Sequence, residues 1–260
     1  MHAASFPFAD APGACALQLP PAGLDRHVPI AAPYPMQITI ADEALLLLPQ
    51  RALYWPSRRL LAIADIHFGK AASFRALGVP VPAGTTSQNL AALDALLAAH
   101  PIDHILFLGD FLHAKAAHAS ATLAAIRNWR AAHPQLQLTL VRGNHDDRAG
   151  DPPVDLDIGV VDEPHAIGPF AFCHHPQDSP HGHVLAGHVH PVHRLSAGGD
   201  SLRLPCFVVG QRCSILPSFG AFTGGHPVAG TEGERLYVVA DDSVFAVPPA
   251  VPGRRQMRWR

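Results

Sequence analysis

Leu60-Leu61-Ala62-Ile63-Ala64-Asp65-Ile66-His67 is five apolar residues followed at once by an acid and, two places on, a histidine. A short apolar run bounded by polar residues reads as a buried strand. The same pattern returns twice downstream. The run 105–108 leads into Gly109-Asp110, and the run 136–141 leads into Gly143-Asn144. Between these runs lie two helical stretches. Residues 87–100 carry Leu90, Leu93, Leu96 and Leu97 at helical spacing, with Thr86 or Ser87 as N-cap, and residues 120–133 stop at Pro134. Strand–helix–strand–helix–strand predicts a layered α/β domain. Each predicted strand delivers a polar residue just past its C-terminal end, where open α/β sheets place their sites.

Upstream, the runs 37–40, 44–48 and 52–54 are separated by Asp42 and Pro49 and predict a meander. Downstream the chain reads as mostly β, with strands expected at 169–173, 184–186, 202–209, 236–240 and 244–247. Residues 1–35 are Ala- and Pro-rich without periodicity and are expected to form a flexible extension. A single domain is expected over 36–250, followed by a basic tail over 251–260 with Arg254, Arg255, Arg258 and Arg260.

Five short motifs appear in order: Asp65-Ile66-His67, Gly109-Asp110-Phe111-Leu112-His113, Gly143-Asn144-His145-Asp146, His174-His175 and Gly187-His188-Val189-His190. Each alone is a weak signal, because 18 histidines make chance pairs common. Their joint order at strand ends is the strong one. On residues leaving a strand, Asp-x-His and His-x-His would point both side chains to one side. Mixed Asp, Asn and His donors without thiolates suit Mn²⁺, Fe or Zn²⁺ better than a soft metal. A carboxylate can bridge two ions about 3.5–4 Å apart. Gly109, Gly143 and Gly187 would let the backbone turn sharply behind each ligand.

The 260 residues are 48% hydrophobic and 15% charged, a globular composition rather than a disordered one. The net charge of -2 argues neither for nor against a nucleic-acid partner. Local charge says more: Arg51, Arg58, Arg59, Lys70 and Arg75 surround Asp65 in sequence. Such a rim would suit a phosphate-rich ligand, or serve only as a solvated face. Cys15, Cys173, Cys206 and Cys213 show no metal or disulfide spacing, so reduced thiols and a cytoplasmic location are expected. The N-terminus lacks the pattern of a signal peptide, and no apolar run is long enough to span a membrane.

Taken together, the five motifs resemble those of the calcineurin-like metallophosphoesterase superfamily, over residues 60–190. That resemblance implies a β-sandwich flanked by helices, in four αββα layers, with two divalent metal ions between strand ends. By motif, Asp65, His67 and His190 would bind the first ion, Asp110 would bridge, and Asn144, His174 and His188 would bind the second. His145 would stand at the leaving group. The stretches Leu53-Tyr54-Trp55-Pro56, Gly78-Val79-Pro80-Val81-Pro82, Cys173-His174-His175-Pro176 and Leu216-Pro217-Ser218-Phe219-Gly220-Ala221-Phe222-Thr223-Gly224 are similar to a narrower family, the bacterial ligase-associated DNA damage response endonucleases (PdeM). So is Ala64-Asp65-Ile66-His67-Phe68-Gly69-Lys70-Ala71-Ala72-Ser73-Phe74-Arg75. This implies Mn²⁺-dependent cleavage of phosphodiesters with single-stranded DNA as substrate. It also implies association with a repair helicase, an ATP-dependent DNA ligase and an exonuclease.

The chain departs from the superfamily pattern twice. His113 stands where many members have Asp or Asn, and it could touch substrate, orient a ligand or pack. The fourth motif is a histidine pair; the family pattern assigns His174, and strand parity would let only one of the two face the metals. The expected mechanism has a metal-bridging hydroxide attack phosphorus in line while His145 donates to the departing alkoxide. Asp146 would orient His145 or cap a helix. Lys70 and Arg75 could hold a flanking phosphate or be surface charge. Phe68, Phe74, Phe111 and Trp55 could stack on bases, though core packing is the commoner fate of phenylalanine. Rival functions are a phosphomonoesterase, a cyclic-nucleotide phosphodiesterase and a non-catalytic scaffold. The scaffold should have lost several ligands, and this chain keeps them all. A homodimer is the commonest assembly and the default expectation.

Overall fold

The computed structural model describes residues 34–249 except 82–83, 114–119 and 198–199. The basic tail and nearly all of the N-terminal extension lie outside the described residues. Tyr34, inside the expected extension, already pairs with Ser243 and exchanges backbone hydrogen bonds with Asp242 and Val244.

One sheet holds seven strands in chain order: β1 (Met36–Ile40), β2 (Glu43–Leu48), β3 (Ala52–Trp55), β4 (Leu60–Ala64), β5 (His104–Leu108), β6 (Gln137–Val141) and β7 (Gly159–Val161). β1 to β4 form the expected antiparallel meander, and β4 to β7 run parallel. The helices are α1 (Lys70–Ala76), α2 (Thr85–Ala99), α3 (Ser120–Ala132) and α4 (Asp146–Ala149). α2 begins earlier than Ser87; its N-cap is Gly84, whose left-handed backbone turns the chain into the helix.

The second sheet is built from β8 (His165–Ile167), β9 (Phe170–Phe172), β10 (His183–Ala186), β11 (Pro191–Ala197), β12 (Asp200–Val209), β13 (Cys213–Ile215), β14 (His226–Pro227), β15 (Arg235–Ala240) and β16 (Ser243–Ala246). Its order is β14-β11-β12-β13-β10-β9-β8, with β15 also pairing β12 and β16 pairing β15.

Strand parity explains why the central strands are apolar throughout. Leu61, Ile63, Ile105, Phe107, Leu138 and Leu140 point to one side, where they pack with Leu90, Leu93 and Leu96 of α2 and Ile126 and Trp129 of α3. Leu60, Ala62, Ala64, Leu106, Leu108 and Val141 point to the other, against Phe170, Phe172, Leu185, Phe207 and Tyr237 of the second sheet. Strands covered on both faces lose the polar alternation of half-exposed ones. The result is the expected α/β architecture, a β-sandwich flanked by helices. Both long helices lie on the first sheet. Beyond β7 the described chain adds no α-helix, so the second half supplies none to the outer face of the second sheet.

Register sets up the site. Ala64 pairs with Leu108, and Leu108 with Val141, so three parallel strands end level. β9 and β10 are parallel to each other, and a bridge between Ala64 and Ser218 ties β4 to the segment that follows β13.

Candidate metal centre

All five motifs emerge from C-terminal strand ends: after β4, β5, β6, β9 and β10. Asp65, His67, Asp110, His188 and His190 have φ of 53°, 49°, 51°, 67° and 50°. These are left-handed conformations that cost a non-glycine residue about 1–3 kcal/mol each. The parity argument for Asp-x-His and His-x-His is therefore corrected. Both motifs lie past their strands, and alternate left-handed residues, not a continued pleat, bring the paired side chains together.

Two groups of donors result. In one, His67 Nε2 lies 3.4 Å from His190 Nε2, and His190 Nε2 lies 3.4 Å from Asp65 Oδ1. In the other, His174 Nε2 lies 2.9 Å from Asn144 Oδ1 and 3.0 Å from His188 Nδ1. Asp110 reaches both: Oδ2 is 3.6 Å from His67 Nε2, and Oδ1 is 3.6 Å from His174 Nε2.

The donor set fits cations. His174 Nδ1–H donates to the Leu108 carbonyl, which leaves Nε2 as a lone pair facing other acceptors. Asp65 Oδ1 is buried without a hydrogen-bond partner. Burial and the nearby Lys70 charge hold His67 far below the usual imidazole range. Burial and the neighbouring His174 and His175 lower His188 too. Neutral imidazoles are the form that binds a metal.

The glycines matter by closeness more than by turning. Of Gly109, Gly143 and Gly187, only the first has positive φ, and a β-carbon there would overlap the His174 ring. A β-carbon on Gly143 would lie 2.7 Å from Asp110 Oδ1, and one on Gly187 2.7 Å from Asp65 Oδ2. The expected sharp-turn role is thus corrected at Gly143 and Gly187, where the need is close approach to a buried carboxylate.

His145 lies at the rim. Its Nδ1–H donates to the His113 carbonyl at 3.0 Å, and its Nε2 is 3.9 Å from Asp110 Oδ2. The His113 ring stacks on it with centroids 5.0 Å apart. Burial, Lys70 and His145 hold His113 down to about 4. Asp146 does not orient the His145 ring, and the cap position of α4 is His145 itself, without a side-chain cap bond. Instead the buried Asp146 carboxylate accepts from the backbone N–H groups of Phe111, Leu112 and Gly143, joining the loop of Asp110 to that of Asn144. Burial pushes it up to about 6 against those bonds.

The histidine pair is not divided by parity, because both residues follow the end of β9. His174 is fully buried between the carboxylates. His175 packs its ring 4.4 Å from that of His188, while its Nδ1 sits 2.7 Å from Glu163 Oε1. Glu163 also accepts from the backbone N–H of His174 and His175. Burial raises its carboxyl, but these bonds outweigh that and the net shift is downward.

Sequence reasoning missed Glu163, Asn89 and Ser218. Asn89 bonds the Ile66 carbonyl and the Ala221 N–H, and Ser218 Oγ donates to the Asp65 carbonyl. An amide beside Leu90 on an apolar helix face was the one available signal.

The basic rim divides. Lys70, at the start of α1, interacts with Asp110 and Asp65, while burial lowers its pKa. Arg75 is exposed on the same helix. Arg58 lies over the Trp55 ring and Arg59 pairs with Asp103, both before β4 and away from the strand ends. Trp55, Phe68 and Phe111 are fully buried core residues. Phe74 is half-buried and stacks on His113 with centroids 6.0 Å apart.

No helix among the described residues is long and apolar enough to cross a membrane. Cys173, Cys206 and Cys213 are free thiols, and burial pushes Cys206 up to about 12 and Cys213 to about 11.

The calcineurin-like phosphoesterase family model matches residues 58–176. The solved structure of Pseudomonas putida nuclease MPE is 48% identical over 82% of this chain and 100% of its own, with a TM-score of 0.74. A protein of Aquifex aeolicus, AQ665, is 20% identical over 50% of this chain and 78% of its own, with a TM-score of 0.36, a likeness too loose to inform function. No curated protein matches. Strand ends that converge on grouped carboxylates and imidazoles, with these matches, place the chain in the calcineurin-like phosphoesterase family, as a metal-dependent hydrolase of phosphoric esters.

Proposed function

We propose that this protein is a two-metal phosphodiesterase acting on nucleic acid, an endonuclease for single-stranded DNA in DNA repair with Mn²⁺ as its working metal. The observation that carries the reading is Asp110, whose two oxygens face two separate donor groups. Likeness over 82% of this chain to a protein described as a nuclease supports the choice of polymer. The donor chemistry also admits Fe or Zn²⁺.

When bound, two divalent ions supply a water of lowered pKa and neutralise charge on the phosphoryl oxygens. Asp65, His67 and His190 would hold one ion and Asn144, His174 and His188 the other, with Asp110 facing both groups. His145 acts at the leaving oxygen. Its Nδ1–H is committed to the His113 carbonyl, so the imidazolium carries its second proton on Nε2, directed at the centre. That proton passes to the departing alkoxide. Phe74 and His113 offer a half-open aromatic stack beside this edge for an unpaired base. Lys70 contributes positive charge at the same edge. The family resemblance supplies the functional partners, a repair helicase, an ATP-dependent ligase and an exonuclease; the cysteines without disulfide spacing favour the cytoplasm, and a homodimer is the default assembly.

The test is hydrolysis of a chromogenic phosphodiester, its monoester counterpart and a single-stranded oligodeoxynucleotide by metal-stripped protein supplied with Mn²⁺, Mg²⁺, Zn²⁺ or Ca²⁺. Diester and oligonucleotide cleavage that depends on Mn²⁺ is expected. Preferred monoester hydrolysis would replace this reading with a phosphatase, and inactivity with every metal would revive the scaffold.

A further inference from the structure

A cleft of about 250 Å³ opens beside the candidate metal centre, lined by Arg51, His190, Arg203, Ser218 and Thr223. His190 belongs to both, so the cleft and the centre share a wall. Arg51 lies in the turn between β2 and β3. Leu53 pairs with Ala62 across the antiparallel β3–β4 ladder, which puts this turn at the Asp65 end of the sheet. Arg51 is partly buried, and that burial lowers its pKa. Its side-chain hydrogen bond is a long one, 3.4 Å to the Gly220 carbonyl. Among the described residues no carboxylate pairs with it, and none of those lining the cleft is acidic. Arg203 stands on β12 and donates to the Gly225 carbonyl.

Burying a guanidinium without a counter-charge is costly, and truncated or absent partners leave that cost uncompensated. The cost is offset when an anion enters. The planar fork of arginine matches the oxygens of a phosphate. In a polynucleotide the phosphate next to the scissile one is such an anion; in an isolated phosphate ester it is missing.

We propose that the Arg51–Arg203 cleft is a subsite for the phosphate adjoining the scissile linkage, so that the enzyme selects polynucleotides over single phosphate esters. The inference rests on the nucleic-acid reading above and identifies which side chains recognise the polymer.

The experiment uses metal-loaded wild type, R51Q, R51K and R203Q with two substrates, a chromogenic diester and a single-stranded oligodeoxynucleotide. A third substrate carries neutral methylphosphonate linkages on both sides of one phosphodiester. R51Q and R203Q are expected to lose about tenfold more kcat/KM on the oligonucleotide than on the chromogenic diester, the scale of one charge-assisted contact. R51K should recover part of that loss. Neutral flanking linkages should slow wild type by a similar factor and slow R51Q little further. A purely structural role for Arg51 would reduce both substrates equally and leave the flanking-charge effect intact in R51Q, and either result overturns the subsite. Wild type that hydrolyses the chromogenic diester but leaves the oligonucleotide uncut would overturn the nucleic-acid reading and the subsite with it.

Discussion

His145 and Gly187 show how single atoms set this centre. His145 reaches the centre through Nε2 alone, because Nδ1 is tied to the His113 carbonyl. His145→Ala should keep its metals, since that ring belongs to none of the donor groups of the centre. It should lose about 10²–10⁴-fold in turnover of DNA, whose alkoxide leaving group needs a proton. The loss on a nitrophenyl diester should be smaller, because nitrophenolate leaves without one. Metal content and turnover on both substrates check this, and normal DNA cleavage would remove His145 from the reaction. Gly187→Ala tests close approach. Its β-carbon would press on Asp65 Oδ2, which also accepts the His188 N–H. Metal affinity should fall by about 10–100-fold, the usual cost of disturbing a ligand's support. A metal titration followed by calorimetry reads it directly.

At the scale of elements, the loops after β5 and β6 are held together by Asp146. Two of the N–H groups it satisfies belong to the loop that carries Asp110, and the third belongs to the loop that carries Asn144. Asp146→Asn turns one acceptor into a donor facing a backbone N–H. A loss of about 1–3 kcal/mol in stability is expected from the unsatisfied buried group, measured by denaturant unfolding of metal-stripped protein. Unchanged stability would mean the carboxylate is not the staple its geometry describes. On α1, Phe74→Ala should weaken binding of single-stranded DNA by about 1–3 kcal/mol, the worth of one stacked base. Fluorescence anisotropy with a labelled oligonucleotide measures this. Equal affinity would assign Phe74 to packing with Phe222 instead.

The whole molecule carries histidines that stabilise it only while neutral. His104 bonds Thr139 between β5 and β6, and His183 bonds Ser214 between β10 and β13. Burial lowers the pKa of both from the ordinary 6.5. The unfolded chain therefore takes up protons at a higher pH than the folded one. Their contribution is complete above about pH 6.5 and is lost as pH falls toward their lowered values. The thermal midpoint should drop from neutral pH to about pH 5.5, and less steeply in an H104N/H183N variant. Parallel curves for variant and wild type would assign the acid sensitivity to other groups, such as the buried histidines of the metal centre.

The amino-acid sequence by itself determined the central strands, the two long helices and the residue types of the candidate donors. Runs such as 60–64 and 105–108 are apolar throughout because both their faces are covered, and that pattern survives in one dimension. The candidate donors at strand ends are legible too, since each is local to its motif. Short elements were not legible: α1 has no side-chain cap, and β7, β8, β13 and β14 are two or three residues long. Only the tertiary structure decided which atoms face one another. The left-handed backbone at Asp65 and His190, the carboxylate of Glu163 under the histidine pair, and the staple at Asp146 all depend on segments distant in the chain. So does the cleft that joins Arg51 to His190. Those contacts leave no periodic trace in sequence, because each is made once, between loops whose approach is fixed by the register of two packed sheets.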